Sequence, residues 1–144
     1  MEQLKELDMS VIEQFPQIDE SKLDELLQKE ITKSGKKIIV LDDDPTGVQT
    51  VHGVSVYTDW SQESIEAGFA EKRNLFYILT NSRGFTVEQT TRCHQEIISR
   101  VRDISEKRGQ EYLIISRGDS TLRGHYPLET ELLRQGIETD GGKK

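Results

Sequence analysis

The stretch KKIIVLDDDPTG (residues 36–47) begins as an apolar run and ends in three aspartates, a proline and a glycine. A nearly continuous run of β-branched and other apolar residues is typical of a strand that is buried on both faces. The polar residues that follow cannot continue such a strand, and Asp-Pro-Thr-Gly is turn chemistry. We therefore predict a buried strand over residues 36–42, followed by a loop.

Three further runs downstream have a similar composition and predict more strands. They are VSVYT (54–58), LFYILT (75–80) and YLIIS (112–116). The last two are almost continuously apolar, as strands covered on both faces must be. Four short strands are therefore expected in the part of the chain that begins near Gly35.

Amphipathic patterns lie between these runs. Residues 61–71 predict a short helix, and a long helix is predicted after Thr86, where Thr86 and Gln89 form a capping-box pattern. Gly109 stands where a glycine is expected just after a helix, and a last helix is predicted to start near Tyr126. Strands that alternate with helices predict an α/β fold, a Rossmann-like parallel βαβ sheet with helices on both faces.

The first 34 residues differ from the rest of the chain. They are charged and sparsely apolar, and their apolar residues recur at helical spacing on either side of Pro16. We therefore predict a helical N-terminal arm over residues 1–34 and a partial α/β domain over residues 35–144. A partly ordered extension is the alternative for residues 1–15.

Composition excludes several classes of protein. A length of 144 residues suits one domain, and the net charge of −7 argues against general nucleic-acid binding, which requires a basic face. The single cysteine, Cys93, excludes an internal disulfide, and no run of apolar residues is long enough to span a membrane. We expect a soluble cytoplasmic protein without a nucleic-acid or membrane partner, and a homo-oligomer is compatible with the sequence.

The loops that follow three of the strands carry the candidate site. They are DDDPTGVQTVHG (42–53), NSRGFT (81–86) and RGDSTLRGH (117–125). In parallel sheets, ligands bind outside the carboxyl ends of the strands. We expect Arg83, Arg117 and Arg123 to converge there, opposite the aspartates of residues 42–44. Guanidinium groups suit a carboxylate or phosphate, and carboxylates suit sugar hydroxyls, so the pattern favours a sugar acid or a sugar phosphate.

Each of these features also has a plainer interpretation. The aspartates of residues 42–44 could be turn residues before Pro45, and a single Ser-Arg-Gly triplet is more often a loop than a site. His94 lies on the apolar stripe of the long helix and is interpreted as a core residue, as is Cys93. His52 and His125 lie in the candidate loops, and their contact with a ligand stays open.

The same loops resemble those of the N-terminal, substrate-binding domain of the four-carbon acid sugar kinase family. DDDPTGVQTVHG resembles that family's Asp-Asp-x-Thr-Gly loop, and TNSRG (80–84) is similar to its second motif. DSTLRGH (119–125) resembles its most distinctive run, Asp-Ser-Thr-Leu-Arg-Gly. The resemblance extends over residues 36–136 and does not include the N-terminal arm.

The resemblance implies an ATP-dependent kinase that phosphorylates a hydroxyl of a threonate- or erythronate-like acid. Asp43 and Asp119 are the catalytic candidates, since either could orient or deprotonate the attacking hydroxyl. The substrate-binding candidates are Asp44, Thr46, Gly47, Ser82, Arg83, Arg117, Ser120, Thr121, Arg123 and Gly124. No residue is assigned to a metal.

The chain also departs from the family pattern. Pro45 stands where kinase members often have leucine, and Ser116-Arg117-Gly118 replaces a lysine-rich tripeptide, so the identity of the substrate is open. The sequence has no glycine-rich phosphate loop. In the family, ATP and Mg²⁺ are bound mainly by a C-terminal domain, which we do not expect to lie within these residues. We therefore expect a fragment that is inactive by itself and needs no cofactor of its own.

Two alternatives remain. Asp42-x-Asp44-x-Thr46 after a strand resembles the nucleophile loop of haloacid-dehalogenase-like phosphatases, in which Asp42 would attack phosphate and Asp44 would be the acid/base, with Mg²⁺ between them. That family does not account for DSTLRGH. The second alternative is a non-catalytic module that binds sugar acids.

Overall fold

The computed structural model describes residues 7–16, 18–119 and 123–138. The chain divides into two compact units, Met1–Ser34 and Gly35–Lys144. Of the candidate site residues, Ser120 and Thr121 lie outside the described residues.

In the described part of the first unit there are two helices, α1 (Ser10–Glu13) and α2 (Glu20–Ser34), on either side of Pro16. Asp19 precedes α2, and its carboxylate accepts a hydrogen bond from the backbone amide of Lys22 at 3.4 Å. This contact satisfies one of the amides that a helix start leaves without an internal partner. This hydrogen bond therefore stabilises the start of α2.

The second unit is built on a sheet of four parallel strands. They are β1 (Lys37–Asp42), β2 (Ser55–Tyr57), β3 (Leu75–Leu79) and β4 (Tyr112–Arg117), in the order β2-β3-β1-β4. The central strand β1 pairs with β3 on one side and with β4 on the other. Each strand lies within a residue or so of its predicted position, and the predicted α/β class with a parallel sheet is confirmed.

Three α-helices lie among the described residues of the second unit: α3 (Gln62–Ala70), α4 (Val87–Arg108) and α5 (Leu128–Glu138). All three contribute side chains to one hydrophobic cluster that also includes Ile39 and Phe76 of the sheet. Ile39 and Phe76 are opposite each other in adjacent strands and are fully buried. Neighbouring residues in a strand point to opposite faces, and on the other face Leu113 and Ile115 of β4 are about half exposed.

The long helix α4 begins and ends where the sequence predicts. Thr86 caps it, accepting a hydrogen bond from the Gln89 amide, while the Gln89 side chain accepts one from the Thr86 amide. Gly109 terminates it with a left-handed backbone (φ 60°), which glycine adopts without steric cost. His94 and Cys93 are both buried in α4, in agreement with their interpretation as core residues.

No helix among the described residues is long and apolar enough to cross a membrane.

Candidate functional site

Three polar loops leave the sheet at one edge. The first loop is residues 42–53 after β1, the second is 80–86 after β3, and the third is 117–125 after β4. In the parallel register, Asp42 at the end of β1 is opposite both Leu79 and Arg117. The central position of β1 therefore makes the three loops neighbours, as the sequence predicts.

Asp42 is fully buried at the start of the first loop. Its Oδ1 accepts a hydrogen bond from Arg117 at 3.3 Å, and its Oδ2 has no hydrogen-bond partner among the described residues. The carboxylate lies against Gly47 so closely that a Cβ on Gly47 would overlap it. Burial raises the pKa of Asp42, although the nearby guanidinium of Arg117 opposes the shift. Asp42 thus occupies the interior of the site and not its surface.

Asp43 joins all three loops. Its carboxylate accepts hydrogen bonds from Arg83 Nε at 3.1 Å and Nη2 at 2.9 Å, and from the Asp119 amide at 3.0 Å. Burial by itself would raise the pKa of Asp43, but the hydrogen bonds from Arg83 and Asp119 outweigh it and hold the pKa below its ordinary value. Asp43 is therefore an ionised carboxylate that is saturated by protein donors.

Asp44 lies beside Asp43 and is more exposed. Its Oδ1 accepts hydrogen bonds from the amide and the hydroxyl of Thr46 at 2.8 and 2.5 Å, and Arg83 Nη1 is 3.0 Å from its Oδ2. The Thr46 hydrogen bonds lower the pKa of Asp44, and the charges of Arg83 and Arg123 lower it further. Arg83 pairs with Asp43 and Asp44, and the Asp119 amide donates to Asp43, so the second and third loops both meet the first loop.

Two hydroxyl side chains of the second loop hydrogen-bond to each other, and one of them also bonds to the end of β1. The Thr80 hydroxyl donates to the Asp42 carbonyl at 3.0 Å, and the hydroxyls of Thr80 and Ser82 are 2.8 Å apart. Both residues are buried. Ser82 is thus a buried support of the loop in this structure, whereas Arg83 next to it reaches across to the first loop.

The third loop presents the most exposed charges of the site. Arg123 donates from Nε and Nη2 to Asp119 Oδ2 at 3.0 and 2.7 Å, with the Arg123 side chain 60% exposed. The amides of Arg123 and Gly124 both donate to the Asp119 carbonyl, at 3.1 and 2.9 Å. The Arg117 side chain is 45% exposed. Among the described residues of the three loops, Arg123 and Arg117 are the most exposed arginines.

The structure brings the three candidate arginines together, but each is already paired. Arg83 binds Asp43 and Asp44, Arg117 binds Asp42, and Arg123 binds Asp119. The predicted convergence of arginines with aspartates is present, as an interleaved set of opposite charges. Such a set offers both donors and acceptors to a ligand that carries a carboxylate and several hydroxyls.

Two residues near the site have roles that the sequence analysis did not assign. Glu129 is buried (3% exposed) at the start of α5, and His125 donates from Nε2 to the Phe85 carbonyl of the second loop at 2.8 Å. A glutamate in the first turn of a charged helix usually faces water, so its burial has no signal in the sequence. For His125 the sequence gives only its position in a candidate loop as a signal.

A family model described as the sugar-binding N-terminal domain matches residues 38–141. The matched region covers most of the chain and contains all three loops, while the first 37 residues lie outside it. A search of curated proteins and a search of solved structures each found no significant match.

Proposed function

Since the chain belongs to the four-carbon acid sugar kinase family through its sugar-binding N-terminal domain, we propose that its three loops bind a four-carbon sugar acid of the threonate or erythronate type. The bound acid would be the acceptor in an ATP-dependent phosphorylation of one of its hydroxyls. This chain would supply the acceptor site of that kinase.

The observation that carries the proposal is the position of Asp43. Its carboxylate binds Arg83 of the second loop and the Asp119 amide of the third loop. Charge-assisted hydrogen bonds of this kind are strong, and they fix three separate turns in one arrangement before a ligand arrives. Preorganised loops of this composition are suited to a small polar ligand.

The exposed groups form two sets, one of which would bind the carboxylate of such a ligand and the other its hydroxyls. Arg117 and Arg123 are the accessible guanidinium groups and would bind its carboxylate, with Arg123 exchanging or sharing its contact with Asp119. The Asp44 carboxylate and the Thr46 hydroxyl would bind sugar hydroxyls, together with the backbone around Gly124. Ser120 and Thr121, which lie outside the described residues, stay in the proposed set because of their place in the motif.

The two catalytic candidates have different surroundings. Asp43 is 4% exposed and already accepts three hydrogen bonds, so we assign it to holding the loops in place. The Asp119 side chain is 23% exposed, and Arg123 is its hydrogen-bond donor. Asp119 is therefore the better candidate to orient or deprotonate the attacking hydroxyl, a task for which phosphoryl transfer needs positioning more than basicity.

The described loops do not fit ATP itself. The described aspartates of these loops outnumber the arginines, so the site has no excess of positive charge to offset the several charges of a triphosphate, whereas a sugar acid carries a single carboxylate. We therefore propose that ATP and Mg²⁺ are bound by a separate domain of the kinase.

The phosphatase alternative is less well supported. It requires Asp42 to attack phosphorus, but the Asp42 carboxylate is completely buried and lies against Gly47 and Arg117. A non-catalytic sugar-acid module shares the proposed binding site and differs only in whether transfer follows. An assay that includes the ATP-binding domain would distinguish such a module from the acceptor-binding domain of a kinase.

Calorimetric titration of the chain with D- and L-threonate and D- and L-erythronate, without ATP, tests the proposal. We expect weak binding of at least one acid, and no binding of the corresponding uncharged tetritols, because these lack the carboxylate that the arginines would recognise. Absence of binding for every acid would contradict the proposal. Mg²⁺-dependent hydrolysis of p-nitrophenyl phosphate that disappears in Asp42→Asn would instead support the phosphatase.

A further inference from the structure

Glu129 is a buried carboxylate beneath the third loop. It is the second residue of α5 and is only 3% exposed. A buried carboxylate is costly unless it is hydrogen-bonded, so its position needs a physical reason. The start of α5 provides part of it, since the positive end of the helix dipole favours a negative charge in the first turn.

The carboxylate of Glu129 lies close to both ends of the third loop. Its Oε1 accepts a hydrogen bond from the His125 amide at 3.3 Å. Its Oε2 lies against Gly118, where an added Cβ would be 3.2 Å away. Gly118 and His125 flank the segment that carries Asp119, Arg123 and the rest of the motif. One side chain thus spans the base of the loop.

His125, at the end of the third loop, also contacts the second loop. His125 Nε2 donates to the Phe85 carbonyl at 2.8 Å, which places the ring proton on Nε2. The Glu129 amide in turn donates to the His125 carbonyl at 3.2 Å. Through His125, Glu129 therefore fixes the end of the third loop relative to the loop that carries Arg83.

We propose that Glu129 is a positioning residue for the sugar-acid site, which holds the two ends of the third loop at the separation needed to present Asp119 and Arg123. The inference rests on the proposed function for its effect on binding. Its structural part, the bracing of the loop, stands on the contacts of Glu129 alone.

Three variants of the full chain test this role. Glu129→Ala removes the contacts with both loop ends, and Glu129→Gln keeps an oxygen that can accept the His125 amide. The matched control is Glu131→Ala, which removes an acidic side chain from the same helix turn where that side chain binds Arg134 instead of the loop. Amide hydrogen exchange over residues 117–125 and calorimetric titration with threonate are the two measurements.

We expect Glu129→Ala to raise both the exchange rate of the His125 amide and the dissociation constant for threonate by about tenfold, the usual effect of one lost hydrogen bond. In Glu129→Gln, the exchange rate and the dissociation constant should both stay within about threefold of their wild-type values. In Glu131→Ala, both should equal the wild-type values. Wild-type exchange and affinity in Glu129→Ala would overturn the proposal, as would a glutamine variant as impaired as the alanine variant.

If Glu129→Ala does not fold, Glu129→Asp takes its place. Aspartate is one methylene shorter and cannot reach both Gly118 and His125, so the same increases are expected, and wild-type values would overturn the proposal. A wild-type chain that binds no sugar acid would contradict the proposed function. In that case the exchange rates alone decide whether Glu129 braces the loop.

Discussion

Arg83 donates two hydrogen bonds to Asp43, a residue 40 positions earlier in the chain, from Nε at 3.1 Å and from Nη2 at 2.9 Å. The pair is largely shielded from water, with Asp43 4% exposed and the Arg83 side chain 19% exposed. A planar guanidinium that meets a carboxylate through two parallel bonds fixes orientation as well as distance. This pair therefore links the loops after β1 and β3.

Replacement of Arg83 by alanine should destabilise the fold, because it leaves Asp43 as a buried carboxylate without its charged partner. The loss expected from an unpaired carboxylate at Asp43 is about 3 kcal/mol in the free energy of unfolding. Urea denaturation measures it directly. Arg134→Ala is the matched control, since Arg134 pairs with Glu131 on an exposed face of α5 and should be nearly neutral. Equal effects of the two substitutions would contradict the role of the Arg83 pair.

The raised pKa of the buried Asp42 predicts that stability falls as pH rises, whereas the lowered pKa of Asp43 predicts that stability falls as pH decreases. Burial raises the pKa of Asp42 in the folded state, so its contribution to stability is present below the unfolded pKa and is lost as pH rises through the folded pKa. Asp42→Asn replaces the carboxylate by an uncharged amide and therefore removes this pH-dependent loss of stability. We expect the variant to be about 1 kcal/mol more stable than the wild type at neutral pH, with the difference shrinking in mildly acidic buffer.

Urea unfolding of both proteins across that pH range measures the difference. Arg117 loses its carboxylate partner in the variant, but its side chain is 45% exposed and water can solvate it. A variant that is less stable than the wild type at neutral pH would show that the Asp42–Arg117 pair outweighs the cost of burying the charge.

The close approach of Gly47 to Asp42 predicts that the motif glycine is required for packing. A Cβ at Gly47 would overlap the Asp42 carboxylate, which is buried and cannot swing into water. Gly47→Ala should therefore cost about 2 kcal/mol in the free energy of unfolding, as overpacking of an interior does. Thermal or urea unfolding checks the value.

Gly84 provides the control for that substitution. It lies in the neighbouring loop, has no atom within 4 Å of an added Cβ, and does not have a left-handed backbone. Gly84→Ala should be neutral. If the loss at Gly47 arises from contact with Asp42, the double variant Asp42→Ala/Gly47→Ala should be less destabilised than the sum of its single changes.

The elements of the fold were predictable because their signals are local. The apolar run of β1 and the capping box of Thr86 and Gln89 lie within a few residues of the structure they specify. That three loops share an edge also followed from the general behaviour of parallel sheets. The first inference needs only the pattern within a strand or a helix, and the second needs only the class of sheet.

The internal pairing of the site was not predictable in the same way. Arg117 and Asp42 are 75 residues apart in the chain, and the Asp119 amide and Asp43 are 76 apart. The sequence indicates that arginines and aspartates meet, but not which of them neutralise each other before a ligand arrives. Burial of Asp42 and Glu129 depends on tertiary packing, since neither residue type is usually found in an interior.

Arg123 is the residue whose loss should separate binding from folding. Its side chain is 60% exposed, and its partner Asp119 is only four residues away in the chain, so its removal should change the free energy of unfolding little. It is also one of the two guanidinium groups that a sugar-acid carboxylate could reach. We expect Arg123→Ala to abolish or weaken threonate binding at least about tenfold, since a charge-assisted hydrogen bond contributes that much or more. Arg123→Lys should restore only part of the affinity, because an ammonium group keeps the charge but not the planar fork.

Arg134→Ala controls for the change in net charge, since Arg134 is a similarly exposed arginine that pairs with a carboxylate on α5. Calorimetric titration of the folded variants decides the matter, and wild-type affinity in Arg123→Ala would remove the third loop's arginine from the proposed site.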